Sequence, residues 1–533
     1  MRRRNFVTSC LLTPGALAAW AQKSTTRPLA SGASTAQTQD NSGMPQMREL
    51  NGAKALFVDS LPFLILGLQW DCDTCFAREI MNPLIPEAAK MGCNTAVLPL
   101  YWREVEPQEG KFDFAMLDDR LEMAREHGLR IALVWFASWK NGCLHYAPDF
   151  VKSDMRRFRR ARRADGTQLR NFSCPTSDET FAADRKALQA IFGHLKAVDS
   201  SRHTVILFQM ENEVGILGTD RCYCPVCTGQ FEEGGWRERE KDRAAEAFTA
   251  HCIAKYLDGL TLAVKAIYPL PVYVNCWLRL DDGVPGVNYP SGGPVERVLD
   301  IYASTAKNID FIAPDIYVRG LDLFRSICEG YSGKGWPLYV AEHASGKDSR
   351  AERNVYYALG ELSAIGFSPW AIDTPFPDEY GQPLVDQLDR RWSEEAYNLR
   401  DSYVPIRDAM VPLAMAQKTD RLRFFVQEGP EEKEARLPFE GIVVHAEYHH
   451  RKSMARGIVL RLNKTEFVVL GTGFDARFLT PQGQGIELLQ VERGRFEGKA
   501  WRFVLPVRRE AEERSRPFRM LVPQVVKVEL NLA

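Results

Sequence analysis

Apolar and polar positions fall in alternating blocks along most of the chain. Short apolar runs rich in Val, Ile, Leu and aromatic residues occupy 63–70 (FLILGLQW), 95–102 (TAVLPLYW), 130–137 (RIALVWFA) and 204–211 (TVILFQME), then 271–278, 311–318, 337–343 and 367–373. Continuous runs of this kind predict strands buried on both faces, as in a parallel sheet. Between them lie segments with apolar residues three and four apart, such as 82–92, 115–128 and 243–267, which predict helices. Eight strands joined by crossovers long enough for a helix predict a (β/α)8 TIM barrel over residues 50–412. A doubly wound open sheet is the competing arrangement, but no glycine-rich fingerprint follows the first strand.

After residue 415 the pattern changes. Runs at 441–448, 457–463, 466–471, 486–492, 501–507 and 525–531 have no helical segments between them. They predict an all-β, sandwich-like domain over 415–533, packed on the barrel as a buttress or serving as a sugar-binding module. The other end differs again. Residues 1–22 combine a basic start, an apolar middle and small residues at Ala18, Ala19 and Ala21, the pattern of a signal peptide. Arg3-Arg4-Asn5-Phe6-Val7 resembles a twin-arginine motif, so the expected location is periplasmic or extracellular in a bacterium. Residues 23–48, rich in Ser, Thr, Gln and Ala, read as a disordered linker.

Composition narrows the function by exclusion. A formal charge of −1 gives no electrostatic reason to expect nucleic acid or an anionic membrane as partner. No later apolar run reaches the roughly 18 residues that a membrane span needs. Nothing in the pattern bears on oligomeric state.

The chemistry is concentrated at two strand ends. The fourth run is apolar from Val205 to Phe208 and then delivers Glu211, Asn212 and Glu213. Charges at the lip of a core are costly unless they have partners or a task. Three βα units later the seventh run ends Ala341-Glu342-His343, with Glu342 lying 129 residues beyond Glu213. Glutamates closing strands four and seven face each other across a barrel mouth. Glycoside hydrolysis needs such a pair: a protonated carboxyl for the leaving oxygen and a carboxylate for the anomeric carbon. The two environments must then differ. A structural ion pair is the alternative for each glutamate. Pattern alone does not choose Glu213 over Glu211, since both are placed on one face of a strand. Asn275 and Asp315 interrupt apolar strands, and each needs either a sugar hydroxyl or a neighbouring side chain.

These residues carry a resemblance. QMENEVG (209–215), followed far downstream by AEH (341–343), resembles clan A glycoside hydrolases, in which an Asn-Glu pair closes strand four and the nucleophile closes strand seven. YWREVEPQEGKFDF (101–114) is similar to the strand-two segment of β-galactosidase families 35 and 42. As a whole the chain most resembles the bacterial branch of family 35 with an extra C-terminal β domain, over about residues 55–530. The resemblance implies a retaining exo-β-glycosidase, foremost a β-galactosidase releasing terminal β-galactose from oligo- or polysaccharide without a catalytic cofactor. Glu213 would be the acid/base, Asn212 would hold the sugar 2-hydroxyl, and Glu342 would be the nucleophile. Pro99 stands where animal and fungal family 35 enzymes have a sugar-contacting tyrosine, and His343-Ala344 where they have an aromatic pair. The alternatives are therefore another clan A specificity (β-glucosidase, α-L-arabinopyranosidase or endo-glucanase) or a non-catalytic carbohydrate-binding barrel.

Aromatics near the predicted strand ends are candidate platforms for a sugar face: Trp70, Tyr101, Trp102, Trp135, Trp139, Tyr317 and Trp370. Trp370 stands out, because clan A enzymes commonly place a subsite tryptophan after strand eight. Of twelve cysteines, Cys10 falls in the signal, leaving an odd number. Cys222, Cys224 and Cys227 follow the catalytic strand within six residues, a spacing that suits a structural zinc if a fourth ligand arrives from elsewhere. Many family 42 enzymes have a similar cluster with a fourth cysteine from the preceding strand's loop, and Cys174 is in the matching position. A disulfide is the alternative in an oxidising compartment. Cys72 and Cys75 are a weaker pair, read as a disulfide or as free thiols.

Overall fold

The structure, a computed structural model, describes residues 43–532 apart from 73, 77, 334, 347–348, 374–382, 387–388, 450–453 and 508–515. The signal peptide and most of the linker lie outside the described residues. Eight parallel strands close into a barrel: β1 (Ile65–Gln69), β2 (Thr95–Tyr101), β3 (Arg130–Phe136), β4 (Val205–Gln209), β5 (Val272–Cys276), β6 (Phe311–Ile316), β7 (Tyr339–His343) and β8 (Gly366–Pro369). Closure runs through Val272 opposite Phe208 on one side and Gly366 opposite Ile65 on the other, which excludes the open sheet. Nearly every barrel-strand residue is buried, as continuous apolar runs require. Gly67 has no side chain for a steric reason, since a Cβ there would lie 1.9 Å from Ser368 Oγ.

The C-terminal strands form a six-stranded and a four-stranded antiparallel sheet. In the six-stranded sheet, alternation at period two serves two cores. Val459, Phe467 and Val469 face the second sheet, while Ile458, Leu460, Val468 and Leu470 join the barrel's own apolar cluster. Helix Glu394–Asp408, capped by Ser393, lies across this junction and reaches into the barrel through Tyr403, whose hydroxyl meets the carbonyls of Gly67 and Phe367. Buried Arg456 ties the sheet to the same helix. Its guanidinium donates to Ser402 Oγ at 2.7 Å, Asn398 O at 2.8 Å and Met454 O at 2.9 Å.

One boundary needs correction. Residues 46–48, read as the end of the linker, belong to a strand, 46–50, paired with 53–58 in a small three-stranded sheet. Asn51 and Gly52, both at positive φ, make the tight turn between them, and Asn51 Nδ2 donates to the carbonyls of Met415 and Gln417. The ordered body therefore starts earlier than the polar composition suggested.

Arg456→Leu is expected to cost about 2–4 kcal/mol, because it strands buried carbonyls at the junction. The midpoint of urea unfolding measures this, and an unchanged midpoint would remove Arg456 from the junction's support.

Candidate active site

β4 ends at Gln209, and the backbone then leaves extended geometry. Glu211 and Glu213 both take left-handed conformations, φ 60° and 49°, uncommon for residues with a Cβ. The two glutamates thus diverge, and the expectation that they share a strand face is wrong. Glu211 turns under the loop after β3 and accepts the backbone N–H groups of Ala137, Ser138 and Trp139 at 3.3, 3.2 and 2.9 Å. Glu213 turns into a pocket of about 390 Å³ at the C-terminal mouth of the barrel. Glu342 enters the same pocket from β7, while His343, next along the strand, points outward and packs between Phe324 and Phe367.

Both pocket glutamates are more than nine-tenths buried, and each has an oxygen within 4.8 Å of the other's. Their partners differ. Glu342 accepts from Tyr317 OH at 2.5 Å and from Gln69 Nε2 at 3.2 Å. Burial pushes its carboxyl up, while the Lys140 ammonium and the Tyr317 hydroxyl pull it back. Glu213 accepts from Asn141 Nδ2, and at 3.5 Å from Asn212 Nδ2, on one oxygen. Burial, then the negative charge of Glu342, pushes Glu213 up to about 8, with Lys140 the main opposing charge. Burial raises both carboxyls, and the Tyr317 hydroxyl and Gln69 amide favour the ionised form of Glu342, whereas the charge of Glu342 pushes Glu213 further up.

The pocket walls include Trp70, Lys140, Asn141, Trp277, Tyr317 and Trp370, with Tyr317 and Trp370 set edge-to-face at 6.4 Å. Tyr317 and Trp370 thus stand where the sequence reading put them. Asn212 and Asn275 lie beneath the wall. Asn275 Oδ1 accepts from the Glu213 backbone at 2.9 Å, and its Nδ2 donates to Asp315 at 2.8 Å and approaches Asn212 Oδ1 at 3.3 Å. They hold the wall rather than form it.

Three aromatic expectations are corrected by packing. Tyr101 gives its hydroxyl to Cys72 O and stacks on Phe76 at 4.4 Å. Trp102 opens a short helix, donates to Glu106 and packs on Trp135. Trp139 is fully buried, edge-on to Tyr256. None of the three lines the pocket.

Lys140, Asn141 and Trp277 were missed. The first two sit on a tight turn, Lys140-Asn141-Gly142-Cys143, with positive φ at Asn141 and Gly142 and paired backbone bonds between Lys140 and Cys143. Asn-Gly was the available signal. That turn also bonds to the carbonyls of Asn212 and Glu213, joining the loops after β3 and β4.

The same two loops meet again at the cysteines. Cys174 Sγ lies 3.8, 3.6 and 3.7 Å from the sulfurs of Cys224, Cys227 and Cys222, and all four residues are buried. These spacings exceed a disulfide's roughly 2.05 Å. They match the edges of a tetrahedron whose centre is about 2.3 Å from each sulfur, a zinc–thiolate distance.

Comparison with known proteins follows the same geography. The sequence profile of glycoside hydrolase family 42, described as beta-galactosidase, matches residues 76–248, and a domain of unknown function, DUF5597, matches 399–505. The family matched is thus 42, whereas the whole-chain resemblance had pointed to family 35. Beta-galactosidase BgaA of Thermus sp is 32% identical over 136 residues, covering 25% of this chain and 19% of that protein. Beta-galactosidase BgaH of Haloferax lucentense is 30% identical over 164 residues, covering 30% of this chain and 23% of that protein. The match therefore spans about a fifth of the length of these curated relatives. Among solved structures, the beta-galactosidase from Bacillus circulans sp. alkalophilus superposes with a TM-score of 0.50 at 13% identity, over 66% of this chain and 57% of that one, a likeness of fold.

Proposed function

We propose that this protein is a retaining β-glycosidase that removes terminal β-galactose from a carbohydrate. The observation that carries the reading is the facing pair of Glu213 and Glu342, close together and differently partnered. Carboxyl groups about 5–5.5 Å apart suit direct attack by one of them, whereas inverting enzymes leave about 6.5–9.5 Å for a water. Galactose as the sugar comes from the named relatives. Export, read from residues 1–22, would place the reaction outside the cytoplasm.

In this mechanism Glu342, held by Tyr317 and Gln69, attacks the anomeric carbon while Glu213 gives its proton to the departing oxygen. Forming the ester removes the negative charge of Glu342. The second-largest influence holding Glu213 protonated then disappears, and its pKa falls. Glu213 is thereby converted into the base that takes a proton from the attacking water, and release of the sugar restores the charge on Glu342. Trp70, Tyr317 and Trp370 offer apolar faces to the ring.

We further propose that Cys174, Cys222, Cys224 and Cys227 hold a structural zinc. With four protein ligands it has no open position, and its part is to fasten the loop preceding residue 178 to the segment that follows the acid.

A panel of nitrophenyl glycosides tests the reading. Release from the β-galactoside is expected, with Glu342→Ala slower by about a thousandfold or more and Glu213→Ala less affected on so good a leaving group. Equal, small effects of the two changes would sink the assignment.

The pH profile follows from the same geometry. Glu213 acts in its protonated form, so kcat/KM should fall as pH rises through about 8. Lys140→Met removes the main opposing charge and should move that limb upward; a downward movement would contradict the electrostatics.

For the cysteines, metal analysis of the purified chain should find about one zinc per molecule. A strong chelator, or Cys224→Ser, should lower the thermal midpoint. A metal-free protein of full stability would rule the zinc out.

A further inference from the structure

The reaction above leaves one pocket carboxyl without a task. Asp315, on β6, pairs in register with Glu342 on β7 and is 2% exposed. Its Oδ2 accepts from Asn275 Nδ2 at 2.8 Å. Its Oδ1 is buried at the pocket floor, with no hydrogen-bond donor among the described residues. Oxygens of Glu213, Asp315 and Glu342 all lie within 4.8 Å of one another.

Three negative charges cannot share so small and buried a cluster against the one ammonium that the described residues place in the pocket wall, that of Lys140. Among the described residues, the other titratable groups facing Asp315 are Tyr273 and Cys276 on β5, Tyr339 on β7, Tyr331 of helix Leu321–Ser332, and Tyr317. Burial pushes each of these up, so all are neutral and none supplies a balancing positive charge.

We propose that Asp315 keeps a proton of its own and, as a neutral carboxyl, donates a hydrogen bond to Glu213. Asp315 is then a positioning residue. It rests on the reading of Glu213 as acid/base, and it steadies Glu213 in the ionised state that the second half-reaction requires. The proton balance is simple. Glu213 gives its proton to the leaving oxygen and regains one from water, while the Asp315 proton stays on Asp315 throughout. Burial first, then Glu342 and Glu213, push Asp315 well above the usual carboxylate range, in keeping with this assignment.

Two measurements test it on the full chain. The first is independent of turnover. With aspartate carboxyl carbons labelled with ¹³C, the infrared spectrum at pH 7 should show a protonated-carboxyl band that Asp315→Asn removes. A spectrum in which Asp315→Asn removes only a carboxylate band overturns the proposal. The second is the pH profile on nitrophenyl β-galactoside. Asp315→Asn keeps a neutral donor, so its alkaline limb should stay near that of the parent, with turnover at least about tenfold above Asp315→Leu. If Asp315 were ionised, Asp315→Asn would remove a charge and move the limb down by about a unit, overturning the proposal. Should the parent hydrolyse no glycoside, the catalytic reading fails while the infrared result still decides the protonation of Asp315. Thermal unfolding of both variants separates loss of fold from loss of the hydrogen bond.

Discussion

Negative charge crowded among buried carboxyls is what the rest of the structure has to accommodate. A closed barrel forces alternate side chains inward, and at the C-terminal ends those positions hold Gln69, Asn275, Asp315 and Glu342 rather than another apolar layer. Each polar group satisfies a neighbour, as buried polar groups must. Glu213 arrives from a loop above them. Among the described residues one ammonium, that of Lys140, lines the pocket, so the carboxyls cannot all ionise together.

Support for this arrangement comes from two distant places. The loops after β3 and β4 are joined through the Lys140–Cys143 turn and again through the cysteine cluster. Those are the loops that hold Lys140, Asn141 and Glu213. On another side, the six-stranded C-terminal sheet shares its apolar face with the barrel's core. That makes the second domain a structural part of the barrel. Among the described residues, none of this domain lines the pocket.

What could be read beforehand divides along physical lines. All eight barrel strands were legible because strands buried on both faces leave continuous apolar runs. Glu213 and Glu342 were legible because a charge at the end of such a run is conspicuous. The strand at 46–50 and the strands at 422–426, 434–439 and 474–479 were not, being short and antiparallel, with charged residues interrupting their apolar ones. Among site residues the errors were of proximity. Tyr101, Trp102 and Trp139 sit at the right heights along the barrel but face its outer layer, and which way a terminal residue turns depends on packing that no local pattern records. Asp315 was seen as needing a partner, but its place between two glutamates requires knowing that β6 and β7 are neighbours in register.

The left-handed backbone at Glu211 and Glu213 has a consequence for how such a chain changes over generations. Conformations of this kind cost about 1–3 kcal/mol each in residues with a Cβ, and glycine or asparagine would hold the same bend more cheaply. Glu211 is anchored by three backbone N–H groups, whereas Glu213 receives only side-chain donors. Selection for foldedness alone would drift Glu213 toward a smaller, more permissive residue. A glutamate at that bend therefore sets a backbone cost against its place in the pocket, a tension that the reaction proposed for Glu213 would resolve.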